Sequence, residues 1–317
     1  MTVRFYSSGD ASAPALRGNT PGDLINLLTK CLVDGYGAKS GAGWTKPYAG
    51  TNLAVFRTGA GSNGMCLRID DTSVDASNRA ARALGFESMT DVNTGTGRFP
   101  LNDQESGGLM WFTHYSGSPS NARQWFLIAD EGFMVLMIQT FPEQLASSSQ
   151  YYRETYWFGD LVPIGPADAY ATVIQGKPAG SSGNTSESHP LDSVGLNTSS
   201  SGLYIARTYT GLGGSLRAGK AHDSAKSGTT AWGGNGNLPY PHGPDGALLM
   251  SPVWVHEPGS TSMAAIRGTL PGIWAPLQYV LQAGDTFAGQ GDLTGRSFFA
   301  WRQYENRMCV ETTDTWR

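Results

Sequence analysis

The residues best placed for chemistry are three carboxylates at and just beyond the end of a predicted strand. Asp70 and Asp71 close the run LRIDD at residues 67–71, and Asp75 follows shortly after. Two carboxylates held about 5 to 10 Å apart would suit hydrolysis of a glycosidic bond. Neighbouring strand residues point to opposite faces, so Asp70 and Asp71 would share one site only where the strand has ended. Turn formation and helix capping are therefore the preferred interpretation of these acids.

The segment 59–64 has the G-x-G-x-x-G pattern of a dinucleotide-binding loop. That chemistry needs a helix after the loop, because the N-terminus of the helix receives the pyrophosphate. Residues 65–70 instead alternate in the manner of a strand. We therefore predict a hairpin loop that binds no cofactor.

Metal or nucleophilic chemistry would need residue pairs that the sequence does not supply. There is no G-x-S-x-G elbow of a serine hydrolase. The histidines are scattered singly, outside the HExxH pattern of zinc hydrolases: His114, His189, His222, His242 and His256. His222 with Asp223, and His242 with Asp245, would form a metal or acid/base site only if the fold brought them together. We predict a non-enzyme with no catalytic residue, no metal and no cofactor.

The three cysteines, Cys31, Cys66 and Cys309, are widely separated. They show neither a disulfide framework nor a CxxC metal or redox spacing. We expect buried free thiols, as in proteins that assemble in a reducing compartment.

Aromatic side chains are the strongest candidates for contact with another molecule. The chain has 9 Trp, 13 Tyr and 12 Phe residues, enough apolar surface to fold in spite of its glycine content. We predict exposed contact residues at Trp232, Tyr240, Trp254 and Trp274. Such rings fill subunit interfaces or cores more often than they stack on sugars, so subunit contact is preferred and glycan contact is the alternative.

The composition is sparing in charge, at 15% of residues against roughly 25% in ordinary globular proteins. A surface poor in Lys and Glu suits a subunit that packs against neighbours. The formal net charge is -4, and no run of Lys or Arg offers the basic stripe that nucleic acid requires. We therefore expect no nucleic-acid partner.

Membrane insertion and secretion are not expected from the sequence. No apolar stretch approaches the roughly 20 residues of a membrane helix. Residues 1–6 lack the apolar core of a signal peptide. We expect synthesis in a cytoplasm and no membrane insertion.

One or two short helices are predicted in the N-terminal part. The apolar residues of 24–32 recur every three or four positions, after Thr20 as cap and Pro21 at the first position, and Gly35 ends the helix. A second helix is predicted at 77–84 and ended by Gly85.

Most of the remaining pattern is that of short strands between turns rich in Gly, Pro and Asn. The near-continuous apolar run at 133–140 predicts a central strand that is covered on both faces, one of them by the helices. A tight turn is predicted before it at 130–132. The fold class is therefore α+β and predominantly β, with antiparallel sheets or a sandwich.

Two domains are predicted: residues 1–165 as an α+β domain and 166–317 as a β-rich domain. The second contains long loops dominated by Gly, Ser, Asn and Pro at about 176–201 and 226–246. Long loops of this kind are commonly functional, so we expect subunit or host contacts there.

Several segments near both ends of the chain carry a family resemblance. They are residues 6–8 (YSS), 13–18 (APALRG), 24–35, 44–46 (WTK), 50–57, 67–71 (LRIDD), 125–129 (WFLIA), 156–160 (YWFGD), 267–277 (RGTLPGIWAPL), 284–287 (GDTF) and 295–296 (GR). In these segments the chain resembles virion-associated proteins of tailed bacteriophages of Pseudomonas and related bacteria. The resemblance is weakest between residues 176 and 246.

The resemblance implies membership of a phage particle and no chemistry, because that family offers no catalytic motif to transfer. We expect a structural protein of the neck or collar, the tail tip or baseplate, or the head surface, made in the host cytoplasm and located in the virion. Its partners would be other virion proteins and symmetric copies of itself. The alternatives are an adhesin or receptor-binding tail component that binds a host surface glycan and, third, a glycan-degrading enzyme.

Overall fold

The protein is mostly β, with antiparallel sheets and one short helix in its N-terminal part. The computed structural model describes residues 1–75, 78–115, 117–141, 153–165, 168–178, 202–212, 220–223, 248–257, 265–276, 281–303 and 306–316. The predicted fold class, predominantly β with antiparallel sheets, is confirmed. The loops predicted at 176–201 and 226–246 lie almost wholly outside the described residues.

The described elements comprise one α-helix, a π-helical segment that continues it, a 3-10 helix at Gly291–Leu293 and twenty strands. The helix α1 spans Asp23–Leu28 and continues as a π-helical segment, Thr29–Asp34. The strands are β1 (Arg4–Ser7), β2 (Thr45–Gly50), β3 (Leu53–Arg57), β4 (Cys66–Asp70), β5 (Ala80–Phe86), β6 (Ser88–Met89), β7 (Gly95–Thr96), β8 (Leu109–Phe112), β9 (Trp125–Ala129), β10 (Phe133–Gln139), β11 (Arg153–Asp160), β12 (Val162–Pro163), β13 (Thr172–Gln175), β14 (Leu203–Ile205), β15 (Lys220–Asp223), β16 (Met250–Glu257), β17 (Ala265–Pro276), β18 (Thr286–Ala288), β19 (Ser297–Gln303) and β20 (Asn306–Glu311).

A central sheet of six strands has the order β1-β9-β10-β11-β13-β14. Every residue of β9, β10 and β11 is buried. Leu136 of β10 lies opposite Leu127 on one side and Tyr156 on the other. The tight turn before β10 forms as predicted, because Asp130 Oδ1 accepts hydrogen bonds from the backbone of Gly132 and Phe133 at 2.8 and 2.7 Å.

Two further sheets cover the two faces of the central sheet. The N-terminal sheet, β2-β3-β4-β5-β8, packs with α1 against one face, where Leu136 and Phe158 meet Phe56 and Trp111. The C-terminal sheet, β15-β16-β17-β20-β19-β18 with β12 on β17, covers the other face. The result is a three-layer β sandwich, and the predicted central position of β10 is confirmed. The division at residue 165 stays a prediction, although β13 and β14 beyond it complete the central sheet.

The predicted first helix is present, but its N-terminus is capped differently. Gly22 occupies the cap position at φ +89°, and no side chain of the helix's own segment caps it. Asp71, far along the chain, accepts hydrogen bonds from the backbone of Gly22 and Leu24 at 2.9 and 3.1 Å. The apolar stripe faces the core as expected, through buried Leu24, Leu27, Leu28, Cys31 and Leu32.

The second predicted helix is wrong. Residues 80–84 belong to β5, which pairs with β4 on one side and β8 on the other. The alanines and leucine of this segment have good helix propensity, but tertiary pairing overrides so weak a preference. Gly85 lies within the strand, where the ring of Phe99 occupies the space that a Cβ would need.

Candidate interface surfaces

An aromatic face lies on the side of the C-terminal sheet that points away from the central sheet. We define it by Pro252, Trp254, Trp274, Phe287 and Phe298. Val253 and Val255 of β16 are buried in the core shared with the central sheet, so Pro252 and Trp254, which alternate with them, point to the opposite side. Pro252 lies directly opposite Trp274 of β17, and Phe287 of β18 lies opposite Phe298 of β19.

Ring contacts and one cation hold this face together. The rings of Phe287 and Phe298 are stacked at 5.3 Å, and those of Trp274 and Phe298 meet edge to face at 6.3 Å. The Arg296 guanidinium lies 5.7 Å from the centre of the Trp274 ring and forms an ion pair of 3.1 Å with Glu311. These contacts fix the orientation of Trp274 while leaving it half-buried.

The structure places two of the four aromatic residues singled out by the sequence on this face, with Trp274 opposite Pro252 and Trp254 opposite Thr269 beyond a β-bulge. Trp254 and Trp274 lie on neighbouring strands, are half-buried and share the aromatic face. Trp232 and Tyr240 lie outside the described residues.

A second surface exposes large apolar side chains at one corner of the sandwich. We call it the apolar corner and define it by Ile164, Tyr209, Leu212 and Ile266, which are 58%, 70%, 69% and 55% exposed. Their segments meet around Arg267, whose carbonyl accepts a hydrogen bond from the backbone of Ile164 at 3.4 Å. Exposed large apolar side chains on segments joined in this way make the apolar corner a candidate contact surface.

Ion pairs and hydrogen bonds of the buried Arg267 side chain connect the segments of the apolar corner. Arg267 forms ion pairs with Asp168 at 2.7 Å and with Glu257, and donates a hydrogen bond to the carbonyl of Arg207 at 2.6 Å. Burial raises the pKa of Glu257 above its ordinary value, although Arg267 and the backbone of Tyr209 lower it. Buried charges are costly unless they are paired. The network therefore holds the segments that carry Asp168 and Arg207 in place against β17.

The apolar corner was not predicted from the sequence. The strand β14 ends at Ile205 and a turn follows, in which Gly211 N donates a hydrogen bond to Thr208 O at 2.8 Å. A usable signal was the position of Tyr209 and Leu212 on either side of Gly211. Large apolar residues that flank a turn glycine are poorly placed for burial.

Each of the three candidate carboxylates accepts hydrogen bonds from its surroundings. Asp71 is buried, pairs with Arg79 and caps α1, and burial raises its pKa to about 6. Asp70 accepts a hydrogen bond from the Thr72 hydroxyl at 2.6 Å, and Asp75 accepts one from the backbone of Asn78 at 3.1 Å. Capping and turn formation, the preferred interpretation, account for all three.

The remaining candidate motifs have structural surroundings. Segment 59–64 connects β3 to β4, so the predicted hairpin loop is confirmed. His114 and His256 are buried, and the other histidine side chains are not described. No group of three His, Cys, Asp or Glu residues suited to a metal ion occurs within the described ranges. The three cysteines are buried and free, as expected.

The lengths of the helices and the comparisons with known proteins give two further findings. Within the part of the chain that the structure describes, no helix has the length and apolar character needed to cross a bilayer. The chain matches no protein-family model and no curated protein at a significant level.

Proposed function

We propose that this chain is a structural subunit of a tailed-bacteriophage particle and acts through contacts with neighbouring virion proteins. The family resemblance of its end segments supports membership of a phage particle. Its low content of charged residues supports a position packed against neighbouring subunits. The observation that carries the contact role is the apolar corner. Four large apolar side chains stand more than half exposed around a buried ion network.

The apolar corner suits a partner because its geometry is fixed before binding. Arg267 ties together the segments that carry Ile164, Tyr209 and Ile266 through hydrogen bonds and ion pairs. A preorganised surface loses little conformational entropy when a partner covers it. Burial of these side chains then stabilises a complex by about 25 cal/mol per Å² of apolar area.

The aromatic face provides a second contact surface on the C-terminal sheet. Trp254 and Trp274 combine a large apolar area with an N–H that donates to a polar partner, the property that enriches Trp at interfaces. Two separate surfaces on one chain would let each subunit touch two neighbours. Such contacts suit closed rings of identical copies in a neck or collar, a tail tip or baseplate, or a head surface.

The first test is to identify the chain in purified particles and to trace it in an image reconstruction. We expect it at a symmetric position, with the apolar corner covered by another subunit. If the chain were missing from purified particles, or if the apolar corner faced solvent in every copy, the proposal would be wrong.

A matched pair of variants tests the contact itself. Leu212→Asp places a charge in the apolar corner, and Val74→Asp places one at a site that is 82% exposed and outside both surfaces. We expect Leu212→Asp to reduce incorporation into particles about tenfold or more, as for the loss of an interface hot spot. Val74→Asp should be incorporated normally. Equal incorporation of the two variants would contradict a contact at the apolar corner.

A further inference from the structure

A small open pocket lies on the outer face of the N-terminal sheet, away from the aromatic face. Its volume is about 100 Å³, and its walls include Pro47, Tyr48, Arg57, Glu87, Ser88 and Met89. A cavity of about 150 Å³ holds a benzene-sized molecule. This pocket therefore has room for most of one six-membered ring, with the remainder in solvent.

A β-bulge forms the pocket between β2 and β3. Thr45 lies opposite Arg57 and Tyr48 opposite Val55, so two residues of β2 face one residue of β3. One of the two is Pro47, which has no N–H to donate to the ladder. The bulge separates the strands locally, and bulges at sheet edges commonly redirect side chains next to binding sites.

Arg57 supplies an uncompensated positive charge to the pocket. Its Nε donates to the carbonyl of Gly64 at 2.9 Å, which orients the guanidinium. Within the described part of the chain, its terminal nitrogens have no hydrogen-bond partner, and no carboxylate lies within ion-pairing distance of them. A planar guanidinium with free terminal N–H groups matches a carboxylate in a two-point contact.

The carboxylate of Glu87 does not cancel this charge, because it already has a cation of its own. Arg207 Nε and Nη2 each donate to one oxygen of Glu87 at 2.6 Å. The Arg207 guanidinium also lies 4.2 Å from the centre of the Tyr170 ring, which holds it in place. Because Arg207, outside the pocket, already pairs with Glu87, the charge of Arg57 is left without a counter-charge among the residues that line the pocket, and the pocket favours an anionic ligand.

The rest of the pocket suits a ring that has both apolar and hydroxylated sides. Tyr48 packs against a small apolar cluster that includes Met89, and offers an aromatic surface for C–H groups. The exposed Ser88 hydroxyl and the spare lone pairs of Glu87 are available to ligand hydroxyls.

We infer that this pocket binds one pyranose residue that carries a carboxylate, with the carboxylate on Arg57, hydroxyls on Ser88 and Glu87, and the apolar side of the ring against Tyr48. Such residues occur as uronic acids and as sialic-type acids in surface polysaccharides, and the carboxylated ring is the chemistry they share. The inference goes beyond the proposed subunit role, because it adds recognition of an acidic glycan. It is independent of whether the apolar corner contacts a virion protein.

The test is an NMR titration of the ¹⁵N-labelled full chain with four probes. Glucuronic acid and N-acetylneuraminic acid represent the two sources of a carboxylated ring, glucose is the neutral ring, and acetate is the carboxylate alone. We expect saturable shifts at pocket residues with at least one acidic sugar, and weaker binding of glucose and acetate. The probe that binds more tightly identifies the source.

Two arginine variants test the role of Arg57. Arg57→Gln removes the charge from the pocket, whereas Arg82→Gln removes one from the same face of the same sheet, where Arg82 donates to Gly108 O at 3.2 Å. We expect Arg57→Gln to weaken binding of the acidic sugar about tenfold or more, because hydrogen bonds to charged groups are the strong ones. Arg82→Gln should bind as the wild type does.

Three outcomes would overturn the inference: no saturable shift with either acidic sugar, equal affinity for glucose or acetate, or unchanged affinity in Arg57→Gln. A spectrum of Arg57→Gln that otherwise overlays the wild type shows that the variant is folded, so that a loss of binding is attributable to the charge. None of these results bears on incorporation of the chain into particles.

Discussion

At the residue scale, a buried ion pair holds distant segments of the fold together. Asp71 and Arg79 are both fully buried, and they connect the end of β4 to the start of α1 and to the carbonyl of Arg17. Asp71 resembled a catalytic acid in the sequence because it follows a strand beside Asp70. Its hydrogen bonds to the backbone of Gly22 and Leu24 show that it replaces the missing side-chain cap of the helix.

The raised pKa of Asp71 predicts a pH-dependent contribution to stability. Because burial raises its folded-state pKa from 3.8 to about 6, the folded protein binds this proton more tightly than the unfolded chain does. The resulting stabilisation is complete below about pH 4 and is lost as the pH rises through about 6. Over that range, the free energy of unfolding of the wild type relative to Asp71→Asn should fall by up to about 3 kcal/mol.

Denaturant titrations of the two proteins at pH 4, 5, 6 and 7 measure this difference. Asp70→Asn controls for the general loss of a carboxylate, since Asp70 lies in an exposed turn contact with Thr72. A difference between wild type and Asp71→Asn that stayed constant across these pH values would refute the prediction.

At the element scale, pairing with neighbouring strands and close packing determine that β5 is a strand and not a helix. Its sequence suits a helix, but β4 and β8 pair with it on both sides, and the Phe99 ring packs directly against Gly85. A helix would leave the inner edges of those two strands without backbone partners, which is costly in a buried layer. The glycine read from the sequence as the end of a helix is in fact the point of closest approach to Phe99.

The contact between Gly85 and Phe99 predicts the effect of adding one methyl group. Gly85→Ala should lower the free energy of unfolding by about 1–3 kcal/mol, because the new Cβ overlaps the ring and the packed core resists the shift. Gly165→Ala is the matched control, since no atom lies within 4 Å of the Cβ it would add. Thermal or denaturant unfolding of the two variants measures the difference, and equal stabilities would contradict the prediction.

At the scale of the whole molecule, one sheet belongs to both hydrophobic cores. Leu136 and Tyr156 face the core shared with the N-terminal sheet, while Met137 and Trp157 face the core shared with the C-terminal sheet. Adjacent residues of one strand therefore contribute to different cores. Loss of either core would expose a face of the central sheet, so the three layers should unfold together.

A pair of neighbouring substitutions tests this coupling. Leu136→Ala and Met137→Ala should each lower the free energy of unfolding by about 2–5 kcal/mol, the usual range for such buried truncations. Each variant should still unfold in one transition that near- and far-ultraviolet circular dichroism report alike. Two separate transitions, one shifted by each substitution, would instead favour the predicted division into domains at residue 165.

The proposed subunit role predicts weak self-association of the isolated protein. Ring contacts often form only on a template, so we expect a monomer or a weakly associating species at micromolar concentration. Sedimentation velocity over a range of concentrations measures this. A stable ring at micromolar concentration would contradict the expectation, and Leu212→Asp would then show whether the apolar corner forms it.

The sequence by itself determined the features that depend on local pattern: the apolar stripe of α1, the central position of β10, the loop at 59–64 and the predominance of antiparallel strands. Periodicity and turn residues are readable without knowledge of distant partners. The tertiary structure alone decided that β5 is a strand, that Asp71 caps a helix far from it in sequence, and that the apolar corner and the Arg57 pocket exist. These features depend on which distant segments come together, and a single sequence does not record those contacts.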